Sequence, residues 1–456
     1  MSRPVDDEQQ GTHSRRLPQR AAGIRTNLTW GPFDANLTLL AAWSAIGFGA
    51  AATDGSYTQT SVVIMAAGVA LVVVTLVAGR SLRREDSALT GVTLAVATVA
   101  AAAAILPAGI YGTDTAALYL SRALTGVAAL TVVAWALFGR GRGRLTAYAV
   151  VATMTAAGVA MVLASPRPSI DTWYMLQAAT HGLSHGHDIY TLRWTSGIPG
   201  EVTNEFAYLP GSAVLLWPFH VLFGDVRYGL LTAMVVTALT LIRISRRPDD
   251  ALVACLFLLY PRLLFGLEQS WLDPLTLLAL CLCGYAVIRG RRGWAVVAFA
   301  VALTCKPYTW MLVPFAAIWK DFGWRRTALS AAAAAVFILP WAAANLHAFV
   351  SGAINLNLDL GFRRDSLSLY TTSVLHGLTP GLWFPATAIV VAFGLALWRL
   401  PRDTYGFFLG TATVVALFDL FDRLSFFNEW EFAAGLTFFA VVFGRSASVG
   451  PADVGP

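Results

Sequence analysis

The sequence predicts an all-α polytopic membrane protein, and two observations carry that expectation. Of its 456 residues, 57% are hydrophobic and only 13% charged, with a mean hydropathy of +0.62. The apolar stretches are continuous over membrane-crossing length and do not alternate, which excludes a transmembrane β-barrel. Spanning length alone leads us to expect roughly 13 to 15 membrane helices. The net charge of +6 carries no implication of nucleic-acid binding, because the arginines gather in short loops between apolar runs, as the positive-inside rule requires.

Residues 1–30 carry Arg3, Arg15, Arg16, Arg20 and Arg25 and lack an apolar core ahead of a small-residue cleavage site. They read as a basic cytoplasmic tail, not a signal peptide. Residues 31–145 read as an additional N-terminal transmembrane module, with spans near Asn36–Ala52, Thr60–Gly79, Ala88–Ile110 and Ala116–Phe138. The loops at Arg83-Arg84 and Arg140–Arg144 are basic, whereas Thr53–Gln59 and Tyr111–Thr115 are not, so the basic ones face the cytoplasm. The span Thr146–Ala164 then opens a catalytic block, 146–445, and delivers Ser165 to the extracytoplasmic side. Residues 446–456 form a second cytoplasmic tail.

Beyond the outer loop, apolar runs lie near Tyr208–Phe223, Tyr228–Ile242, Ala251–Phe265, Trp271–Ile288, Trp294–Thr304, Tyr308–Trp319, Leu329–Ala344, Leu382–Trp398, Tyr405–Phe421 and Phe432–Phe443. Charge parity leaves one of the first two as interfacial or re-entrant, and Pro210 and Pro218 make the first the weaker span. Tyr260–Asp273, the turn at Lys306, the segment His347–Pro380 and Asp422–Glu431 then fall outside. Most of the acidic residues beyond the termini thus converge on one face. Cys255, Cys281, Cys283 and Cys305 lie in apolar runs without metal-ligand spacing and read as small core residues.

Asp171 is the leading site candidate: a carboxylate closing an apolar run beside Trp173 and Tyr174 is partly desolvated, which suits a general base. Its structural alternative is an N-cap for the helix-like run Trp173–Leu183. His181 and His185 stand four residues apart, with His187 and Asp188 beyond. That spacing permits a metal site, but a polar rim for substrate hydroxyls is the favoured reading. Lys306 either snorkels or holds an anion. Arg363 and Arg364 break the positive-inside pattern, and so offer bidentate phosphate recognition or an ion pair with Asp359 or Asp365 that orders a loop. Glu268 and Asp273 suit either sugar hydroxyls or capping of the helix that begins near Trp271.

These residues resemble the GT-C membrane glycosyltransferases, most closely glycosyltransferase family 87. The similar elements are Asp171-Thr-Trp-Tyr, Gly186-His-Asp188-Ile-Tyr190, Phe206-Ala-Tyr208-Leu-Pro210, Lys306-Pro307 and Arg364-Asp365-Ser366-Leu367. Leu209 departs from the family's first proline, and Arg364-Asp365 from its asparagine–glutamine. The resemblance implies a GT-C-like bundle with a large first outer loop and transfer of mannose or another hexose or pentose. The donor would be a polyprenyl-phosphate sugar and the acceptor a glycolipid or glycan hydroxyl of the cell envelope. It also implies Asp171 as base in an inverting step, Lys306, Arg363 and Arg364 on the donor phosphate, and Trp173, Tyr174, His181, Asp188, Tyr190, Tyr208, Glu268 and Asp273 around sugar and acceptor. No cofactor or metal is implied. The rival class is a membrane transporter or lipid flippase, for which paired repeats with interrupted helices would be the sign.

Overall fold

The computed structural model describes residues 34–78, 109–138, 142–194 and 204–447, whose regular secondary structure is all helical, with no strand among the described residues. The tail 1–30, the expected span Ala88–Ile110 as far as residue 108, part of the outer loop (195–203) and the tail beyond 447 lie outside the described residues. The helices are α1 (Ala35–Ala51), α2 (Gln59–Ala78), α3 (Thr115–Phe138), α4 (Gly143–Ala164), α5 (Asp171–Ser184), α6 (Pro210–Phe223), α7 (Arg227–Ile244), α8 (Pro248–Cys255), α9 (Leu263–Glu268) and α10 (Asp273–Ile288). They continue as α11 (Arg292–Leu303), α12 (Val313–Ile318), α13 (Gly323–Ala344), α14 (Leu346–Val350), α15 (Leu356–Asp359), α16 (Leu369–Leu375), α17 (Trp383–Arg399), α18 (Thr404–Phe421) and α19 (Phe427–Ala447).

Among the described residues, six helices are long and apolar enough to cross a membrane: α2, α3, α4, α7, α13 and α18. This is the signature of a multi-pass membrane protein. Several expected spans are shorter than the rule of about 20 residues. α6 has 14 residues and α11 has 12, so at 1.5 Å per residue they reach about 21 Å and 18 Å against a hydrocarbon core of ~30 Å. α6 starts with Pro210 at its first turn, where a missing N–H costs nothing, and ends at Gly224 in the left-handed region (φ +74°).

The expected span Ala251–Phe265 is broken. α8 passes into a 3-10 turn at Leu256–Leu259, Pro261 cannot continue the helix, and Arg262 adopts φ +59° before α9 begins. Irregular backbone at membrane depth survives only where protein, not lipid, surrounds it. Every residue from Ala251 to Ser270 is accordingly buried. Gly47 of α1 makes room for the break, since a Cβ there would sit 2.7 Å from the Pro261 ring and from Tyr260.

The N-terminal hairpin is built into the body. α1 packs against α19, and α2 against α18. Trp43 is buried with its ring 5.7 Å from Tyr260 and 5.1 Å from Phe438. The α1–α2 turn is tied down by an ion pair between Asp54 and Arg262, by Arg262 donating to the Ala51 carbonyl at 3.1 Å, and by Tyr57 N–H donating to Asp365 O at 3.0 Å. The expected boundary at residue 145 therefore does not separate α1 and α2 from the rest.

The bundle has an acidic end and a basic end. α10 carries Asp273 at its first residue and Arg289 just past its last, and α19 carries Glu429 in its first turn and Arg445 in its last. Near the basic end, Arg445 pairs with Asp250, and Arg144 donates to the Ser245 carbonyl at 2.9 Å.

Candidate functional site

Asp171 lies at the acidic end, where the chain leaves α4, crosses a short loop through Pro166 and Pro168, and re-enters helix. It is the first residue of α5, with Ile170 in extended backbone before it (φ −136°). Its Oδ1 accepts from the Thr172 N–H at 2.7 Å and the Thr172 hydroxyl at 3.4 Å. A carboxylate in the first helical turn is stabilised by the unsatisfied N–H groups there, so the position one residue beyond the cap serves both helix and site.

What holds this loop in place is a residue that the sequence reading passed over. Arg227, the first residue of α7, is fully buried; it donates from Nε to both Asp225 oxygens at 3.0 and 3.1 Å and from Nη2 to Oδ2 at 2.6 Å. Its Nη1 donates to the Ser165 hydroxyl at 3.0 Å, and its guanidinium lies 6.0 Å from the Trp173 ring. A buried arginine needs this complete set of acceptors, and the set spans the entrance to α5. The available signal is an arginine directly followed by the apolar run Tyr228–Ile242.

Tyr208 joins Asp171 to the second half of the site. Burial pushes its phenol well above the usual tyrosine range, and the carboxylates of Asp171, Asp273 and Glu429 push it further. The Lys306 ammonium lies 5.9 Å from its ring. Tyr111, from the loop before α3, is likewise raised by burial and by Glu268 and Asp171. Tyr208 is held by its own backbone, because its carbonyl accepts the Tyr190 hydroxyl at 2.8 Å. Close by, Gly211 N–H donates to Thr304 O at 2.9 Å, and a Cβ on Gly211 would lie 2.2 Å from the Thr304 hydroxyl.

Lys306 is buried and already partnered. Its Nζ donates to both Asp273 oxygens at 2.9 and 2.8 Å, and the Tyr308 hydroxyl donates to Asp273 Oδ1 at 2.5 Å. The anion expected for Lys306 is thus a carboxylate of this chain. Asp273, expected at a sugar hydroxyl, is fully buried as that partner. Around the pair stand Asp419 near the end of α18 and Glu429 and Glu431 in the first turns of α19, all close enough to feel its charges. Asp419 and Glu431 are buried, and Oδ2 of the first and both side-chain oxygens of the second accept no hydrogen bond among the described residues. The acidic residues of 422–431 were expected on this face. Asp419, lying inside an apolar run, was not singled out.

The remaining expected residues fall in different places. Trp173 is buried, stacked edge-on against half-buried Tyr174 at 5.0 Å. Tyr190 is 1% exposed, wedged between Phe206 and Phe349 at 5.5 and 4.9 Å. It is a core residue and offers no stacking face for a sugar. Glu268 is fully buried and accepts from the backbone N–H groups of Ile110 at 2.7 Å and Tyr111 at 3.0 Å. Burial raises its carboxyl, and those two donors oppose the rise. It therefore fastens the 109–111 loop and neither meets a sugar nor caps a helix.

His181 lies ten residues along α5 from Asp171, about 15 Å at the helical rise, with its ring 4.4 Å from that of His185. Asp188 accepts the Tyr190 N–H at 3.0 Å and closes a turn. Among the described residues, no group of three His, Cys, Asp or Glu side chains is arranged to hold a metal ion. Arg363 takes the loop-ordering alternative: Nε and Nη2 donate to Asp365 at 3.0 and 2.5 Å, and its guanidinium lies 4.7 Å over Phe426. Phe426 N–H in turn donates to Glu429 at 2.9 Å, so this loop borders the acidic cluster. Arg364 is exposed and makes no ion pair among the described residues.

Comparison with protein-family models, with curated proteins and with solved structures finds no match to this chain.

Proposed function

We propose that the chain is an integral membrane glycosyltransferase that moves a sugar from a polyprenyl-phosphate donor to a hydroxyl of a cell-envelope glycolipid or glycan. The observation that carries the reading is that Asp171, in the first turn of α5, and the buried Lys306–Asp273 pair, from separate parts of the chain, stand at the same acidic end of the bundle. By the positive-inside rule, that end faces away from the cytoplasm. The ordered motifs similar to glycosyltransferase family 87 support the same reading.

In this reaction Asp171 takes the proton of the acceptor hydroxyl as its oxygen attacks the anomeric carbon. The new C–O bond forms as the bond to the lipid phosphate oxygen breaks, and the phosphate leaves with that electron pair, inverting the centre. The leaving group needs cationic stabilisation. Arg364, exposed on the bordering loop, is the available guanidinium. Lys306, paired with Asp273, lowers the local negative potential that would otherwise repel a phosphate.

The test is incubation of membranes containing the protein with radiolabelled polyprenyl-phosphate sugars. Labelled glycolipid or glycan is expected from the wild type and none from Asp171→Asn. Undiminished transfer by that variant would sink the assignment of Asp171.

A specific observation also favours a transporter, namely the buried carboxylates of Asp419 and Glu431, since such groups mark ion pathways. Asp419 lies two residues from the end of α18, not at mid-helix, which fits an end-on catalytic site better. Proteoliposomes that move a lipid-linked sugar without transferring it would decide for transport.

A further inference from the structure

We propose a second site at the basic end of the bundle, holding an anionic phospholipid of the cytoplasmic leaflet. Helices α6, α7, α10 and α11 enclose an apolar groove of about 460 Å³, a size that suits a ligand. Phe219, Thr232, Leu278, Leu282 and Val297 line it, and Trp294, 68% exposed, stands at its rim. Arg291 lines its basic end. There the Arg289 guanidinium lies 5.4 Å from the ring of Tyr285, itself a lining residue, and Arg243 in the last turn of α7 is close enough for its charge to act on the same phenol.

Three guanidiniums from α7, the end of α10 and the start of α11 thus gather at the mouth of an apolar channel. Forked donors of this kind suit the oxygens of a phosphodiester, and the channel suits an acyl chain. Depth favours a leaflet lipid over the donor's polyprenyl chain. From Tyr285 to Leu275 the groove follows ten residues of α10, about 15 Å, half of a hydrocarbon core. Its headgroup end lies at the basic end of the bundle, opposite the end that carries Asp171 and Asp273, and needs no transfer activity to be occupied.

The full-length protein in nanodiscs of phosphatidylcholine with phosphatidylglycerol tests this, with retained lipid read by native mass spectrometry after release. Wild type is expected to keep a phosphatidylglycerol adduct in preference to phosphatidylcholine. At about fivefold per arginine, the triple variant Arg243→Gln, Arg289→Gln, Arg291→Gln loses it by roughly 100-fold. Ala298→Trp, which fills the groove, loses it with every arginine in place. Equal retention of the two lipids overturns the proposal, and so does an adduct that survives both variants. Displacement of phosphatidylglycerol by added polyprenyl phosphate also overturns it and gives the groove to the donor chain.

Discussion

Asp171, the proposed base, is the first residue of its helix. Its Oδ1 accepts from the Thr172 N–H, a bond that an asparagine oxygen can also accept. Asp171→Asn is therefore expected to stay folded and membrane-inserted while transfer falls by roughly 10²- to 10⁴-fold, the usual contribution of a positioned base. Radiolabel transfer beside a gel-filtration profile separates the two effects. Lys306 behaves differently, because it is buried against Asp273 with further carboxylates around it. Lys306→Met leaves those carboxylates without their nearest cation and is expected to cost about 3–5 kcal/mol. Adding Asp273→Asn should return much of that loss. Thermal unfolding of the two single variants and the double variant in detergent checks it, and fully additive losses would refute the coupling.

At the scale of elements, close approaches decide which helices can bring the site together. Gly211 sets the start of α6 against the Thr304 backbone, where a Cβ would lie 2.7 Å from the Thr304 carbonyl oxygen. Gly211→Ala should push α6 and the neighbouring Tyr208 away, costing about 1–3 kcal/mol and lowering transfer as well. Thr304→Ala is not expected to rescue it, since the clash includes backbone. Glu268→Gln tests the clamp on the 109–111 loop. An amide can accept from only one of the two N–H groups, so a loss of about 1–3 kcal/mol is expected, read as a lower midpoint in thermal unfolding.

For the whole molecule, the question is whether the first helices are an appendage. Trp43 of α1 is buried against Tyr260 and Phe438, so Trp43→Ala should cost about 3–5 kcal/mol. A chain beginning at residue 146 should fail to give a monodisperse gel-filtration peak. A stable, active fragment 146–445 would show that the N-terminal hairpin is dispensable. The separation of charge between the two ends belongs to this scale as well. It places Asp171 and Lys306 at one end and Arg243, Arg289 and Arg291 at the other, so the proposed catalytic site and the proposed lipid headgroup site lie at opposite ends of one bundle.

The sequence by itself determined that the chain is helical and membrane-embedded, because long continuous apolar runs satisfy their own backbone only as helices. It also determined that acidic and basic loops alternate, since charge cannot remain in hydrocarbon. Asp171 and Lys306 were legible for the same reason: an ionisable residue at the edge of an apolar run stands out against its neighbours. Tertiary structure alone decided how such residues are spent. Lys306 could be told from a phosphate ligand only once α10 brought Asp273 to it, Glu268 only once the 110–111 backbone met it, and Tyr190 only once Phe206 and Phe349 closed over it. The buried Arg227–Asp225–Ser165 set and the break at Pro261 were hidden likewise. Hydropathy reports how a residue partitions between water and oil, whereas pairing depends on which distant segment arrives beside it.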